Sequence, residues 1–125
     1  MGTNKKVMIV DDDAEFLEEL EEMLNMSSYD LIAVNDPTKV LDAAKDTRPD
    51  IILLDLKMPG KSGFEVANDL RYHTNLANIP VIAMTAYFKD TYIPLMDMCN
   101  IKKYIKKPFF PLDVINVIED VIGKK

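Results

Sequence analysis

Five residues with polar or charged side chains stand at the ends of short apolar runs. Asp11 and Asp12 close the run Lys6–Val10, Asp55 follows Ile51–Leu54, Thr85 follows Val81–Met84, and Lys107 lies just past Lys103–Ile105. Three carboxylates brought close together raise one another's pKa, and a divalent cation with a preference for hard oxygen ligands removes that conflict. Mg²⁺ suits the set because it keeps several waters and uses one or two carboxylates together with phosphate oxygens, which leaves room for a phosphoryl group. Asp55 can then act as a nucleophile. Lys107 and Thr85 are suited to hold phosphoryl oxygens, one by charge and one by hydrogen bond, so that catalysis is mostly positioning and neutralisation.

Each of these residues has a plainer role when taken alone. Acidic residues at a strand-to-helix junction are common helix caps, and Asp13 is read as a cap. Thr85 could simply end a strand, and Lys107 could be one solvated lysine in a lysine-rich stretch. Their joint occurrence at successive strand ends favours a common site, provided the fold brings those ends together.

The elements that would do so are legible in the hydrophobic pattern. Five apolar runs, the four above and Asp30–Val34, alternate with five amphipathic segments. That alternation predicts a (βα)5 α/β fold, a doubly wound flavodoxin-like parallel sheet covered on both faces. The Asp30–Val34 and Lys103–Ile105 runs are the more polar and belong at the edges, which gives the strand order 2-1-3-4-5. In such a sheet ligands bind beyond the carboxyl ends of the strands, near the switch point.

The helices have recognisable starts. Asp13 caps a first helix whose Phe16, Leu17, Leu20, Met23 and Leu24 recur at helical spacing, with Glu18, Glu19, Glu21 and Glu22 toward water. Asp36-Pro37 marks the second, running through Val40, Leu41 and Ala44, and Ser62-Gly63 precedes the third, with Phe64, Ala67 and Leu70. The fifth begins at Pro111 and buries Val114, Ile115, Ile118, Val121 and Ile122. Pro94 falls in the expected middle of the fourth, where proline removes a donor and disfavours helical geometry at Ile93, so a short or late-starting helix is expected.

The segments MIVDDD, IILLDLKMPGKSG, VIAMTA and YIKKPF resemble the four signature blocks of the response-regulator receiver family, and the likeness extends over essentially the whole chain. The resemblance implies that Asp55 is the phosphoacceptor, that Asp11, Asp12 and Asp55 organise Mg²⁺ with the main-chain carbonyl of Lys57, and that Thr85 and Lys107 contact the phosphoryl group. It implies a cis peptide before Pro108. It also implies a switch in which Tyr104 moves inward when Thr85 turns toward the phosphate. The partners it implies are a histidine kinase or histidine phosphotransfer protein as donor and a downstream protein as receiver of the signal. The chain would be no enzyme in the ordinary sense, catalysing only its own phosphorylation and dephosphorylation.

Two features shade that resemblance. Asn100-Ile101 replaces the Gly-Ala found in many members between the fourth helix and fifth strand, a mild departure because asparagine tolerates the left-handed conformation of a helix terminator. Lys57 and Tyr87 lie two residues after Asp55 and Thr85, as in the single-domain receiver of the sporulation phosphorelay. They are expected to flank the in-line approach of water and so prolong the phosphorylated state.

Composition bounds the alternatives. At 125 residues the chain is read as one receiver domain, 1–125, with a cytoplasmic address and no apolar run approaching the roughly 18 residues of a membrane span. A net charge of −6 disfavours direct nucleic-acid binding, and Lys102, Lys103, Lys106 and Lys107 read as edge-strand charges. The single cysteine, Cys99, is read as a small buried hydrophobe, and His73, the single histidine, is given no function. An FMN carrier on the same fold is disfavoured because Asp11, Asp12 and Asp13 would repel a flavin phosphate. An aspartyl-phosphate hydrolase would need a positioned acid or base and a substrate-recognition cap. A degenerate receiver that only docks is disfavoured by the intact acids, threonine and lysine.

Overall fold

The computed structural model describes residues 4–123. The apolar runs form five parallel strands: β1 (Lys6–Val10), β2 (Asp30–Val34), β3 (Ile51–Asp55), β4 (Val81–Thr85) and β5 (Ile101–Lys106). Their order is β2-β1-β3-β4-β5, with Val10 beside both Val34 and Leu54 and with Asp55 beside Met84. The order matches the expectation from strand polarity. Growth of the sheet reverses between β1 and β3, and the crevice beyond their ends is where a ligand site is expected.

Side chains along each strand alternate between two cores. Val7, Ile9, Ile51, Leu53, Ile82, Met84 and Ile105 point to one face, covered by Leu17, Leu20 and Leu24 of α1 (Ala14–Leu24) and by Val114 and Ile118 of α5 (Pro111–Ile122). Met8, Val10, Ile52, Leu54, Val81, Ala83 and Ile101 point to the other, covered by α2 (Val40–Thr47), α3 (Gly63–Arg71) and α4 (Tyr92–Met98). With roughly 1.5–3 kcal/mol available from each large apolar side chain fully buried, these two layers hold the strand ends in fixed register.

Four local features differ from the sequence expectation. Pro94 is the third residue of α4 rather than its middle, so its missing N–H is one that a first helical turn leaves unbonded anyway, and Ile93 stays helical. The helix is nonetheless short, at seven residues, as its proline leads one to expect. Asp36 accepts hydrogen bonds from the Thr38 N–H and hydroxyl and opens a 3-10 turn, Pro37–Lys39, before α2 begins. In β5, Val81 pairs with Ile101 but Ile82 with Lys103, so Lys102 is an extra, bulged residue, and Lys102 and Lys103 both face solvent on this edge strand. Cys99 is half-buried rather than buried, its thiol donating to the Phe64 carbonyl at 3.4 Å. Asn100, in keeping with the expectation, adopts the left-handed conformation, with φ of 61°, between α4 and β5.

Candidate functional site

The strand ends deliver the expected residues to one rim. Asp11 is the first residue beyond β1, Asp55 and Thr85 are the last of β3 and β4, and Lys107 is the first beyond β5. Among the described residues, Asp11, Asp55 and Thr85 are the buried side chains of polar or charged type, at 1 %, 5 % and 3 % exposure. Asp12 stands exposed at the lip, and one oxygen from each of Asp11, Asp12 and Asp55 lies within 4.8 Å of the others. The Lys107 ammonium reaches the same rim, 2.6 Å from Asp11 Oδ2 and 3.7 Å from Asp55 Oδ1.

Main-chain bonds fix each residue. The Asp11 N–H donates to the Val34 carbonyl, and the Lys107 N–H donates to the Thr85 carbonyl at 2.8 Å. Asp11 Oδ1 accepts from the Asp13 N–H at 2.9 Å, while Asp13 Oδ1 caps α1 by accepting from the Glu15 and Phe16 N–H groups. The cap assigned to Asp13 is therefore present. Below Asp55, α3 starts from Ser62, whose hydroxyl accepts the Glu65 N–H while the Glu65 carboxylate accepts the Ser62 N–H. Gly63 presses against the Asp55 main chain, and a Cβ there would meet the Asp55 carbonyl oxygen at 2.3 Å, so only glycine fits.

The electrostatics match the crowding of charge. Burial pushes the Asp55 carboxyl up from its ordinary value of 3.8 to about 6, with the Asp11 carboxylate adding to the rise. Lys107 and the Lys57 main-chain N–H oppose that rise, and Asp12 adds a smaller push upward. Three acids against one ammonium leave the rim electron-rich, and carboxylate oxygens converging within 4.8 Å suit a small divalent cation.

The Thr85 hydroxyl donates to the Tyr87 carbonyl at 3.0 Å and accepts from the Tyr87 N–H at 3.2 Å. Tyr104 is 41 % exposed and stacks on Phe88, with ring centroids 4.0 Å apart and planes 9° from parallel. Lys57 is exposed, and the Tyr87 ring is 72 % exposed and so does not lie packed over the rim. The Lys107–Pro108 peptide is cis.

Residues 7–119 match the response regulator receiver domain. The chain belongs to that family. A receiver acts in two-component signalling, as a switch rather than a classical enzyme, between histidine kinases and downstream effectors. This receiver is 33 % identical to the polar-differentiation response regulator DivK of Brucella anthropi over 95 % of its own length and 97 % of DivK. It is 32 % identical to the DNA-binding response regulator MtrA of Mycobacterium tuberculosis over 89 % of its length but 47 % of MtrA, and so spans about half the length of that relative. Among solved structures it superposes on chemotaxis protein CheY4 of Vibrio cholerae with a TM-score of 0.91 at 23 % identity, covering 95 % and 99 % of the two chains. The receiver domain of sensor histidine kinase PA1611 from Pseudomonas aeruginosa superposes with a TM-score of 0.87 at 24 % identity, covering 98 % and 100 %, and carries a magnesium ion in its active-site cleft.

Two residues of the receiver's rim went unnoticed in the sequence. Gly63 could have been found from the glycine at the end of IILLDLKMPGKSG, but a close approach to the acceptor strand has no sequence signature distinct from a turn. Phe16 carries the Lys107 ammonium 4.1 Å from its ring centroid. In the sequence it is one more apolar position in the stripe of α1.

Proposed function

We propose that this receiver accepts a phosphoryl group on Asp55 from the phosphohistidine of a kinase or phosphotransfer protein, with Mg²⁺ held at Asp11, Asp12, Asp55 and the Lys57 carbonyl. The observation that carries this reading is the confinement of buried polar side chains, among the described residues, to Asp11, Asp55 and Thr85. Burying two acids side by side costs several kcal/mol unless charge is compensated, and a fold with no use for them would replace them. When bound, the metal supplies neutralisation of the acids and of the phosphoryl oxygens.

The chain's own residues perform the rest. One Asp55 oxygen attacks phosphorus in line as the phosphorus–nitrogen bond to the donor imidazole breaks, and the imidazole leaves with the bonding pair. Lys107, already beside Asp55, balances the charge that the phosphoryl group brings. Thr85 exchanges its bonds to the Tyr87 main chain for one to a phosphoryl oxygen. That movement vacates space toward which Tyr104 turns, and the added phosphate charge supplies the differential contact that a two-state switch requires. On this reading the domain spans 1–125, works in the cytoplasm, catalyses only its own phosphorylation and dephosphorylation, and passes its phosphate or its altered surface to a downstream protein. Among the described residues no helix is long and apolar enough to cross a membrane.

The test is intact mass after incubation with phosphoramidate and Mg²⁺. One added phosphate in the parent and none in Asp55→Asn is expected. Equal phosphate in both, or equal phosphate with excess chelator, would overturn the assignment.

A further inference from the structure

Lysine is a long, strongly hydrated side chain, and holding it in one place costs conformational entropy. Two carboxylates hold the Lys107 ammonium, Asp11 at 2.6 Å and Asp55 at 3.7 Å. Phe16 adds a third contact, with Lys107 Nζ over its ring at 4.1 Å from the centroid. Phe16 is itself fixed from two directions. Its N–H donates to the capping Asp13 carboxylate at 3.2 Å, and its ring meets Phe109 edge-on, with centroids 6.0 Å apart and planes at 75°.

These contacts close a ring. Asp11 Oδ1 holds the Asp13 N–H, Asp13 caps the turn that carries Phe16, the Phe16 face attracts Lys107, and Lys107 returns to Asp11 Oδ2. We propose that Phe16 is a positioning residue that holds the Lys107 ammonium at the rim beside Asp55, ready for a phosphoryl oxygen. This rests on the phosphoacceptor reading of Asp55.

The choice of an aromatic ring has a chemical reason. A carboxylate in place of the ring would also hold the lysine, but its charge would repel the incoming phosphoryl group. An aliphatic side chain would repel nothing but would attract the ammonium no better than it attracts any neutral group. The ring attracts the cation through its quadrupole while remaining neutral.

The experiment combines a direct probe of the contact with a kinetic one, in the full chain. In the parent, proton NMR should find the Lys107 ε-methylene displaced upfield by the ring current, and Phe16→Leu should remove that displacement. At saturating Mg²⁺, Phe16→Leu should slow phosphorylation by phosphoramidate about threefold to tenfold, the range that an ordinary cation–π contact supports. Its unfolding midpoint should stay near the parent's, and Phe16→Tyr should restore both the rate and the displacement. A parent ε-methylene without displacement, a Phe16→Leu rate equal to the parent's, or a Phe16→Tyr as slow as Phe16→Leu would each overturn the proposal. A parent that takes no phosphate on Asp55 refutes the phosphoacceptor reading instead, and the ε-methylene shift then still decides whether Phe16 holds Lys107.

Discussion

Asp11 and Lys107, 96 positions apart in the chain, form an ion pair of 2.6 Å across the mouth of the sheet. The ammonium is shared unequally, lying nearer to Asp11 than to Asp55, at 3.7 Å. Lys107 thus compensates the acidic rim and competes with any cation that enters it.

Replacing Lys107 by methionine should therefore move two properties in opposite directions. Mg²⁺ affinity should rise, about threefold to tenfold, because a positive charge a few ångström away is removed from a poorly solvated site. Phosphorylation by phosphoramidate should nevertheless slow, because the phosphoryl oxygens lose their protein counter-charge. Calorimetric Mg²⁺ titration and the rate at saturating Mg²⁺ read the two effects separately. A loss of Mg²⁺ affinity would contradict this picture.

The raised Asp55 pKa makes a prediction about stability. The folded chain holds this proton up to about pH 6, whereas the ordinary value is 3.8, so between those limits the folded state binds more protons than the unfolded one. Stability from this group is fully present below about pH 4 and is lost as pH rises through 6, at a cost on the order of 2 kcal/mol after allowing for water at the rim. Without divalent ions, Asp55→Asn should be more stable than the parent at pH 7, and the two should converge near pH 4. Urea unfolding midpoints at the two pH values check this, and Mg²⁺ should narrow the pH 7 gap by stabilising the parent.

Two glycines near the site should respond differently to alanine. Gly63→Ala forces a methyl group against the Asp55 carbonyl and the Leu56 Cα, at 2.3 and 2.8 Å, and should cost about 1–3 kcal/mol and weaken Mg²⁺ binding by displacing Asp55. Gly60 has φ of 82° and nothing within 4 Å of the added atom. Gly60→Ala should cost about 1–2 kcal/mol through backbone strain alone and leave the metal affinity nearer the parent's. Denaturation curves and Mg²⁺ titrations on both variants separate the two mechanisms.

Loss of the phosphate should depend on the exposed Lys57 side chain at the lip. Lys57 offers no acceptor to orient an attacking water, and Tyr87, although its ring stands in solvent, is anchored by main-chain bonds to Thr85. Lys57→Asn should speed dephosphorylation several-fold after the donor is removed, whereas Tyr87→Ala, which removes a ring that does not cover the rim and keeps the main-chain bonds to Thr85, should change it little. Unchanged decay in Lys57→Asn would show that this side chain does not govern loss of the phosphate.

How much of this was legible in the sequence depended on whether a contact has a periodic or positional signal. The strand order followed from the polarity of Asp30–Val34 and Lys103–Ile105, and the meeting of Asp11, Asp55, Thr85 and Lys107 followed from the rule that parallel strand ends share one rim. Pro94 misled in detail because its effect depends on where the helix begins, and a start at Tyr92 turns a disruptive proline into a tolerated one. The Lys102 bulge was hidden because an extra residue in an edge strand leaves the apolar pattern almost unchanged. Phe16 was hidden for a related reason: a ring that holds a cation and a ring that fills a core satisfy the same helical spacing, and only the position of Lys107 distinguishes them.

The most direct measurement of the central claim is the position of the phosphate itself. Borohydride reduction converts a phosphorylated aspartate to homoserine in place, and peptide mapping of the reduced, phosphoramidate-treated chain should find homoserine at position 55 alone, dependent on Mg²⁺. Homoserine at position 11 or 12, or an unmodified Asp55 in a chain that has gained phosphate, would contradict the account.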